Sequence, residues 1–66
     1  MDSVLEKLRA SKGLLDGKVV CEWLGLHKIT LHGWTKAGKI PHVRLAGRVK
    51  FDPATLADWY SKRLVG

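Results

Sequence analysis

The chain has 66 residues, enough for one small domain, and its 12 Lys and Arg against 6 Asp and Glu give a formal net charge of +6. One cysteine excludes an internal disulfide and favours a reducing compartment. The N-terminal residues lack the pattern of a signal peptide, and no apolar stretch reaches the roughly 18 residues of a membrane span. We therefore expect a cytoplasmic protein with no membrane partner.

The first predicted element is a short helix near the N-terminus. Val4, Leu5 and Leu8 have helical spacings of three and four, but the apolar set is small, so the helix is expected to be marginal. Residues 1–13 are interpreted as an N-terminal extension, and residues 14–66 as the folded domain.

Two helices separated by a glycine turn are predicted next. Asp16 is placed as the N-cap of a helix that ends at Leu24, and Gly25 is expected to end it in the left-handed conformation. A second helix is predicted over residues 27–37, with Gly38 after it. This order is typical of a helix-turn-helix.

A two-residue periodicity replaces the helical spacing after Pro41. Apolar residues alternate with basic residues on both sides of Ala46 and Gly47, which predicts a β-hairpin with one apolar and one wholly basic face. The predicted apolar set is Val43, Leu45, Val49 and Phe51. The predicted basic set is His42, Arg44, Arg48 and Lys50.

A closing helix is predicted from Asp52 and Pro53, which suit the N-cap and the first helical position. Its inner face is expected to hold Leu56, Trp59, Tyr60 and Leu64. The complete order is helix, glycine turn, helix, basic hairpin, helix. It predicts a mainly α winged helix-turn-helix with a short β-hairpin as the wing.

The positive charge is concentrated in the same part of the chain. Between Glu22 and Asp52 there is no acidic residue, and this acid-free segment, residues 23–51, holds six Lys or Arg and all three histidines. Repulsion within such a segment favours a polyanionic partner, and nucleic acid is the commonest one. The sequence therefore predicts a nucleic-acid partner, and the helix-turn-helix order indicates double-stranded DNA.

The motifs and their order resemble a known family. They are LLD at 14–16, VCEWLGL at 20–26, TLHGW at 30–34, GKIP at 38–41 and DW at 58–59. Over residues 14–60 the chain resembles the excisionase-like branch of the mercury-regulator-type winged helices. It departs from that family at His27, where Ser or Thr usually caps the second helix, and at Gly33, where a long polar residue is common.

The predicted DNA-binding residues lie on the second helix of the motif and on the hairpin. In a helix-turn-helix the second helix enters the major groove, where Lys can donate to guanine and an apolar side chain can contact the thymine methyl. The predicted set on this helix is Lys28, Ile29, Thr30, His32, Gly33 and Lys36. Thr35 is a further candidate for a phosphate contact. The alternative for the lysines is an ordinary solvated helix surface.

Arg44, Arg48 and Lys50 are predicted to share the outward face of the hairpin, with Arg48 as the favoured candidate. The resemblance implies that such a wing reaches the minor groove or the flanking phosphates. Arginine gains there from the negative potential of narrow A·T tracts. The alternative is a charged edge strand that prevents aggregation.

The sequence predicts no metal, no cofactor and no catalytic residue. His27 and His32 are five residues apart and so do not share a helix face as two zinc ligands would, and there is no Cys-x-x-Cys. No acidic residue accompanies a candidate nucleophile or base. A binding protein, not an enzyme, is expected.

The resemblance leaves three roles open. The first is an excisionase, or recombination directionality factor, that binds repeated sites cooperatively, bends DNA and assists an integrase. The second is a small phage or plasmid transcriptional regulator. The third is the DNA-binding part of a phage terminase small subunit, which exposure of Val4, Leu5 and Leu8 would favour.

Overall fold

The helices and strands follow the predicted order, with one addition. The computed structural model describes residues 3–64. Within this range the elements are α1 (Ser3–Ala10), β1 (Leu15–Asp16), α2 (Gly17–Leu24), α3 (Lys28–Ala37), β2 (Val43–Leu45), β3 (Arg48–Phe51) and α4 (Pro53–Ser61). The predicted mainly helical winged helix-turn-helix is confirmed. Residues 1–2 and 65–66, the outer ends of the two predicted regions, lie outside the described range.

The helix-turn-helix is formed by α2 and α3. Gly25 follows α2 with φ 69°, a left-handed conformation that glycine adopts without steric cost. The backbone N–H of Leu26 then donates to the carbonyl of Cys21 over 2.9 Å and closes the turn. Val20 of α2 and Leu31 of α3 are both buried, so each helix turns one face into the core.

A third strand, β1, was not predicted. The strand order in the sheet is β1-β3-β2, and β1 pairs antiparallel with β3 through Leu15 opposite Phe51 and Asp16 opposite Lys50. Two residues cannot display a periodicity of two, so the sequence offers no pattern from which such a strand could be recognised.

The hairpin turns through two residues, Ala46 and Gly47, as predicted. Their φ angles are 49° and 77°, and positive φ at both central residues is the requirement of a type I′ turn. The flanking pair is Leu45 opposite Arg48. This pairing fixes the register of the hairpin, which is called the wing below and comprises residues 43–51.

The predicted division of the wing into an apolar and a basic face is wrong. Directly paired residues of an antiparallel sheet point to the same side. Leu45 therefore shares a face with Arg48, and Arg44 shares the other face with Val49. Leu45 is 51% exposed instead of buried. Because the turn contains two residues, odd-numbered positions of β2 lie on the same face as even-numbered positions of β3. Residues separated by an even number of positions across the turn therefore lie on opposite faces.

The core connects the N-terminal helix to the rest of the domain. Its fully buried side chains are Phe51, Leu8, Ile40, Leu56 and Val20. Helix α1 packs mainly on α4, and Leu8 is 1% exposed. Val4 and Leu5 are half-buried against the same core. Residues 3–10 therefore contribute to the hydrophobic core, while a domain boundary at residue 13 stays a prediction.

Helix α4 begins as predicted and ends earlier than predicted. The Asp52 carboxylate accepts from the backbone N–H of Thr55 over 3.1 Å, and Pro53 occupies the first turn. The helix ends at Ser61, so the predicted inner position of Leu64 is wrong, and this side chain is 45% exposed.

Trp34 and Trp59 pack against each other edge-to-face, with ring centroids 6.1 Å apart. The Trp59 indole N–H donates to the carbonyl of Lys39 over 3.0 Å. Both rings are half-buried against the core. These contacts agree with the predicted structural role of the two tryptophans, since the rings pack against each other and connect α3 to α4.

The cap of α4 predicts a measurable pH dependence of stability. Hydrogen bonds from the Thr55 hydroxyl and backbone N–H hold the pKa of Asp52 below its ordinary value of 3.8. Because the folded-state pKa is the lower one, this contribution is complete above pH 3.8 and is lost as the pH falls through the folded-state pKa. The Tm of the wild type is expected to fall on acidification.

Asp52→Asn keeps an acceptor for the helix N-terminus but does not titrate. Its Tm is expected to fall less than that of the wild type between about pH 5 and pH 2. Thr55→Val removes the hydroxyl donor and should also reduce the acid sensitivity. Thermal unfolding followed by circular dichroism at each pH makes the comparison. If the Tm of Asp52→Asn falls with decreasing pH as steeply as the Tm of the wild type, this account is contradicted.

Candidate nucleic-acid interface

The outward face of α3 carries the predicted side chains. Leu31 is buried at 5% exposure, and the helix turns this residue and half-buried Trp34 inward. The six predicted positions on α3 are all exposed: Lys28, Ile29, Thr30, His32, Gly33 and Lys36. Sequence periodicity therefore identified the orientation of α3 correctly, and DNA contact by these residues remains a prediction.

Thr35 does not belong to this surface. It is 8% exposed, and its hydroxyl donates to the carbonyl of Leu31 over 2.8 Å. A Thr hydroxyl in a helix commonly bonds the carbonyl four residues earlier. The prediction that Thr35 contacts phosphate is therefore wrong.

A groove runs between α2, α3 and the wing. Its floor is mainly apolar, with contributions from Cys21, Leu31, Val49 and Phe51, and its margins carry cationic side chains. The cationic residues that line the groove are Lys18 and Lys28, and the exposed Ile29 and His32 also line it. The groove therefore lies between the helix-turn-helix and one side of the wing, and two lysines of the helix-turn-helix border it.

Lys18 was missed by sequence reasoning. It is exposed on α2 and lines the same groove as Lys28. It precedes the acid-free segment and lies two residues after Asp16, so neither charge pattern nor motif distinguished it. Only the packing of α2 against α3 shows that the two lysines border one groove.

The three basic residues of the wing do not share a face. Arg44 pairs with Val49, so it lies on the side of the sheet that faces the groove, whereas Arg48 and Lys50 point to the opposite side. Arg44 and Arg48 are both exposed. Of the three, Arg44 is the residue on the same side of the wing as the groove.

Lys50 is engaged within the protein. Its ammonium donates to the carboxylate of Asp16, and the Lys50 side chain is 26% exposed. The hydrogen bond and the charge of Lys50 lower the pKa of Asp16 below its ordinary value, with a smaller contribution from Arg48. An acidic residue from outside the acid-free segment therefore reduces the positive charge on this side of the wing.

Asp16 occupies the N-cap position of α2, but its side chain makes no cap hydrogen bond there. The prediction of its position is correct, and the prediction of its role is wrong, because the carboxylate pairs with Lys50. His27 likewise precedes α3 without a side-chain cap bond. Both ends lack the side-chain acceptor that usually satisfies the first N–H groups of a helix.

The remaining histidine has a structural contact. The Nδ1 atom of His42 lies 2.9 Å from the carbonyl oxygen of Ile40, to which it donates when it carries the proton.

Among residues 3–64, no three His, Cys, Asp or Glu side chains come together as a metal site. None of the helices described in that range is long and apolar enough to cross a membrane.

The comparisons with known proteins place the chain in a family. Residues 14–64 match the model of a helix-turn-helix domain, and the chain belongs to this excisionase-like family of helix-turn-helix DNA-binding domains. The resemblance predicted from the motifs is thereby confirmed. Members are typically not enzymes. No curated protein and no solved structure matches the chain significantly.

Proposed function

We propose that the protein is an excisionase, or recombination directionality factor, that binds specific double-stranded DNA through α3 and the wing. The observation that supports the proposal is the common orientation of two cationic side chains: Lys28 borders the groove from α3, and Arg44 lies on the groove side of the wing. In a winged helix this arrangement allows α3 to occupy the major groove while the wing contacts the neighbouring backbone or minor groove.

The predicted mode of action follows from the size of this surface. One recognition helix and one short wing offer few base contacts, whereas useful specificity in a genome requires several. We propose that copies of the protein bind cooperatively to repeated sites and bend the DNA, and that an integrase is the protein partner. We propose further that it acts on DNA in the cytoplasm of a bacterial host, at the nucleoid.

Footprinting on the DNA that flanks the gene tests the proposal. The expected result is protection of two or more direct repeats beside a recombinase attachment site, with cooperative filling of the repeats. Addition of the protein to integrase and a supercoiled attachment-site substrate should then favour excision over integration.

Two other results would replace this function. Protection of a single operator that overlaps a promoter would favour the transcriptional regulator. Protection of a packaging site would favour the terminase small subunit. The structure gives less support to the latter, because Leu8 is buried in the core instead of exposed for a protein partner.

A further inference from the structure

Ile29 is the most exposed large apolar side chain among residues 3–64. It is 78% accessible, compared with 42% for Leu14, 51% for Leu45 and 45% for Leu64. It occupies the first turn of α3, directly after Lys28. In a helix-turn-helix, the N-terminal residues of this helix are the ones that reach the edges of the bases.

The fold itself gives no reason for isoleucine at this position. A β-branched side chain has a lower helix propensity than Ala, Leu or Lys, and a side chain this exposed gains little from burial. Its neighbours on the outward face of α3 are polar or cationic, among them His32 and Lys36. The apolar group that a DNA duplex presents in the major groove is the C5-methyl of thymine.

Gly33 lies one turn after Ile29 on the same face of α3, since residues four apart are neighbours on a helix. A Cβ atom added at Gly33 would meet no protein atom within 4 Å. The fold therefore does not require glycine there, although glycine in a helix is less stable than alanine by about 0.5–1 kcal/mol. What the missing side chain provides is space outside the protein, next to Ile29.

We propose that Ile29 is a specificity-determining residue that contacts the C5-methyl of a thymine in the major groove, and that Gly33 leaves the space for this close approach. The inference rests on the proposed binding of DNA by α3. It adds the chemical group that α3 recognises, and it requires a thymine at one defined position of each site.

The test uses a duplex that the wild-type protein selects from a random-sequence pool. Each thymine of that duplex is replaced singly by deoxyuridine, which removes only the C5-methyl. One replacement is expected to raise the Kd about fourfold, the effect of losing about one buried methyl-sized group. With Ile29→Ala, the same replacement should change the Kd by less than about twofold, because the partner of the methyl is already absent.

Leu64→Ala is the matched control, since it also removes an exposed apolar side chain but lies outside α3 and the wing. It should retain the full fourfold penalty. Gly33→Ala is the second variant: its Tm should rise by about 2–8 °C, while its affinity for the selected duplex falls severalfold.

Three results would overturn the inference. The first is a selected site in which no replacement of thymine by deoxyuridine weakens binding. The second is a deoxyuridine penalty that is the same for Ile29→Ala as for the wild type. The third is a loss of self-association in Ile29→Ala together with an equal loss of affinity for the thymine and the deoxyuridine duplex, which would assign Ile29 to a contact between copies. Failure to select any duplex would instead refute the proposed DNA binding, so the two failures are distinguishable.

Discussion

Leu8→Ala is expected to leave most of the protein unfolded at room temperature. The side chain is 1% exposed between α1 and the rest of the core, and truncation of a buried Leu costs about 2–5 kcal/mol. A domain of this size rarely has more than about 3–5 kcal/mol of net stability. Urea unfolding followed by circular dichroism should show a midpoint near or below zero denaturant.

Leu14→Ala provides the matched control, because the same atoms are removed from a side chain that is 42% exposed. Its cost should remain below about 1 kcal/mol. If the two variants are equally stable, α1 is an extension that the domain does not need. The comparison also tests whether the folded domain begins at residue 14, where the match to the family begins, because Leu8 lies before that residue.

The affinity for DNA is expected to fall about 10³-fold between roughly 50 and 200 mM salt. Binding that neutralises about six phosphates releases their counterions, and the log–log slope is about −0.9 for each phosphate. Arg44→Ala should make the slope less steep by about 0.9, because Arg44 is exposed on the groove side of the wing. Fluorescence anisotropy over a salt series measures the slope.

Lys62→Ala and Lys50→Ala serve as controls for this prediction. Lys62 is 3.2 Å from Asp58 on α4, outside both α3 and the wing, and its loss should leave the slope unchanged. Lys50 is paired with Asp16, so its loss should change the slope less than the loss of Arg44. A flat salt dependence, or equal effects of all three variants, would contradict the polyanion interface described above.

Much of the architecture is predictable from local patterns. Gly25 and Gly38 end α2 and α3 in the left-handed conformation, and Asp52 with Pro53 begins α4, because capping depends on only a few neighbouring residues. The outward face of α3 is predictable for the same reason, since the period of 3.6 residues per turn shows which positions lie on the opposite side of the helix from Leu31. The family could be recognised because these local signals occur in a fixed order.

The wing and its charges required the tertiary structure. Composition alone determined that the chain is basic, the positions of the acidic residues defined the acid-free segment, and motif order predicted the winged helix-turn-helix. The pairing of Leu45 with Arg48, the strand formed by Leu15 and Asp16, and the ion pair of Asp16 with Lys50 decide which cations face the groove. The strand pairing and the ion pair join residues far apart in the sequence, so no local pattern specifies them. The pairing of Leu45 with Arg48 is set by the two-residue turn between them, and because a register shift of one residue reverses the face of every side chain, this pairing and not equal spacing assigns the faces of the wing.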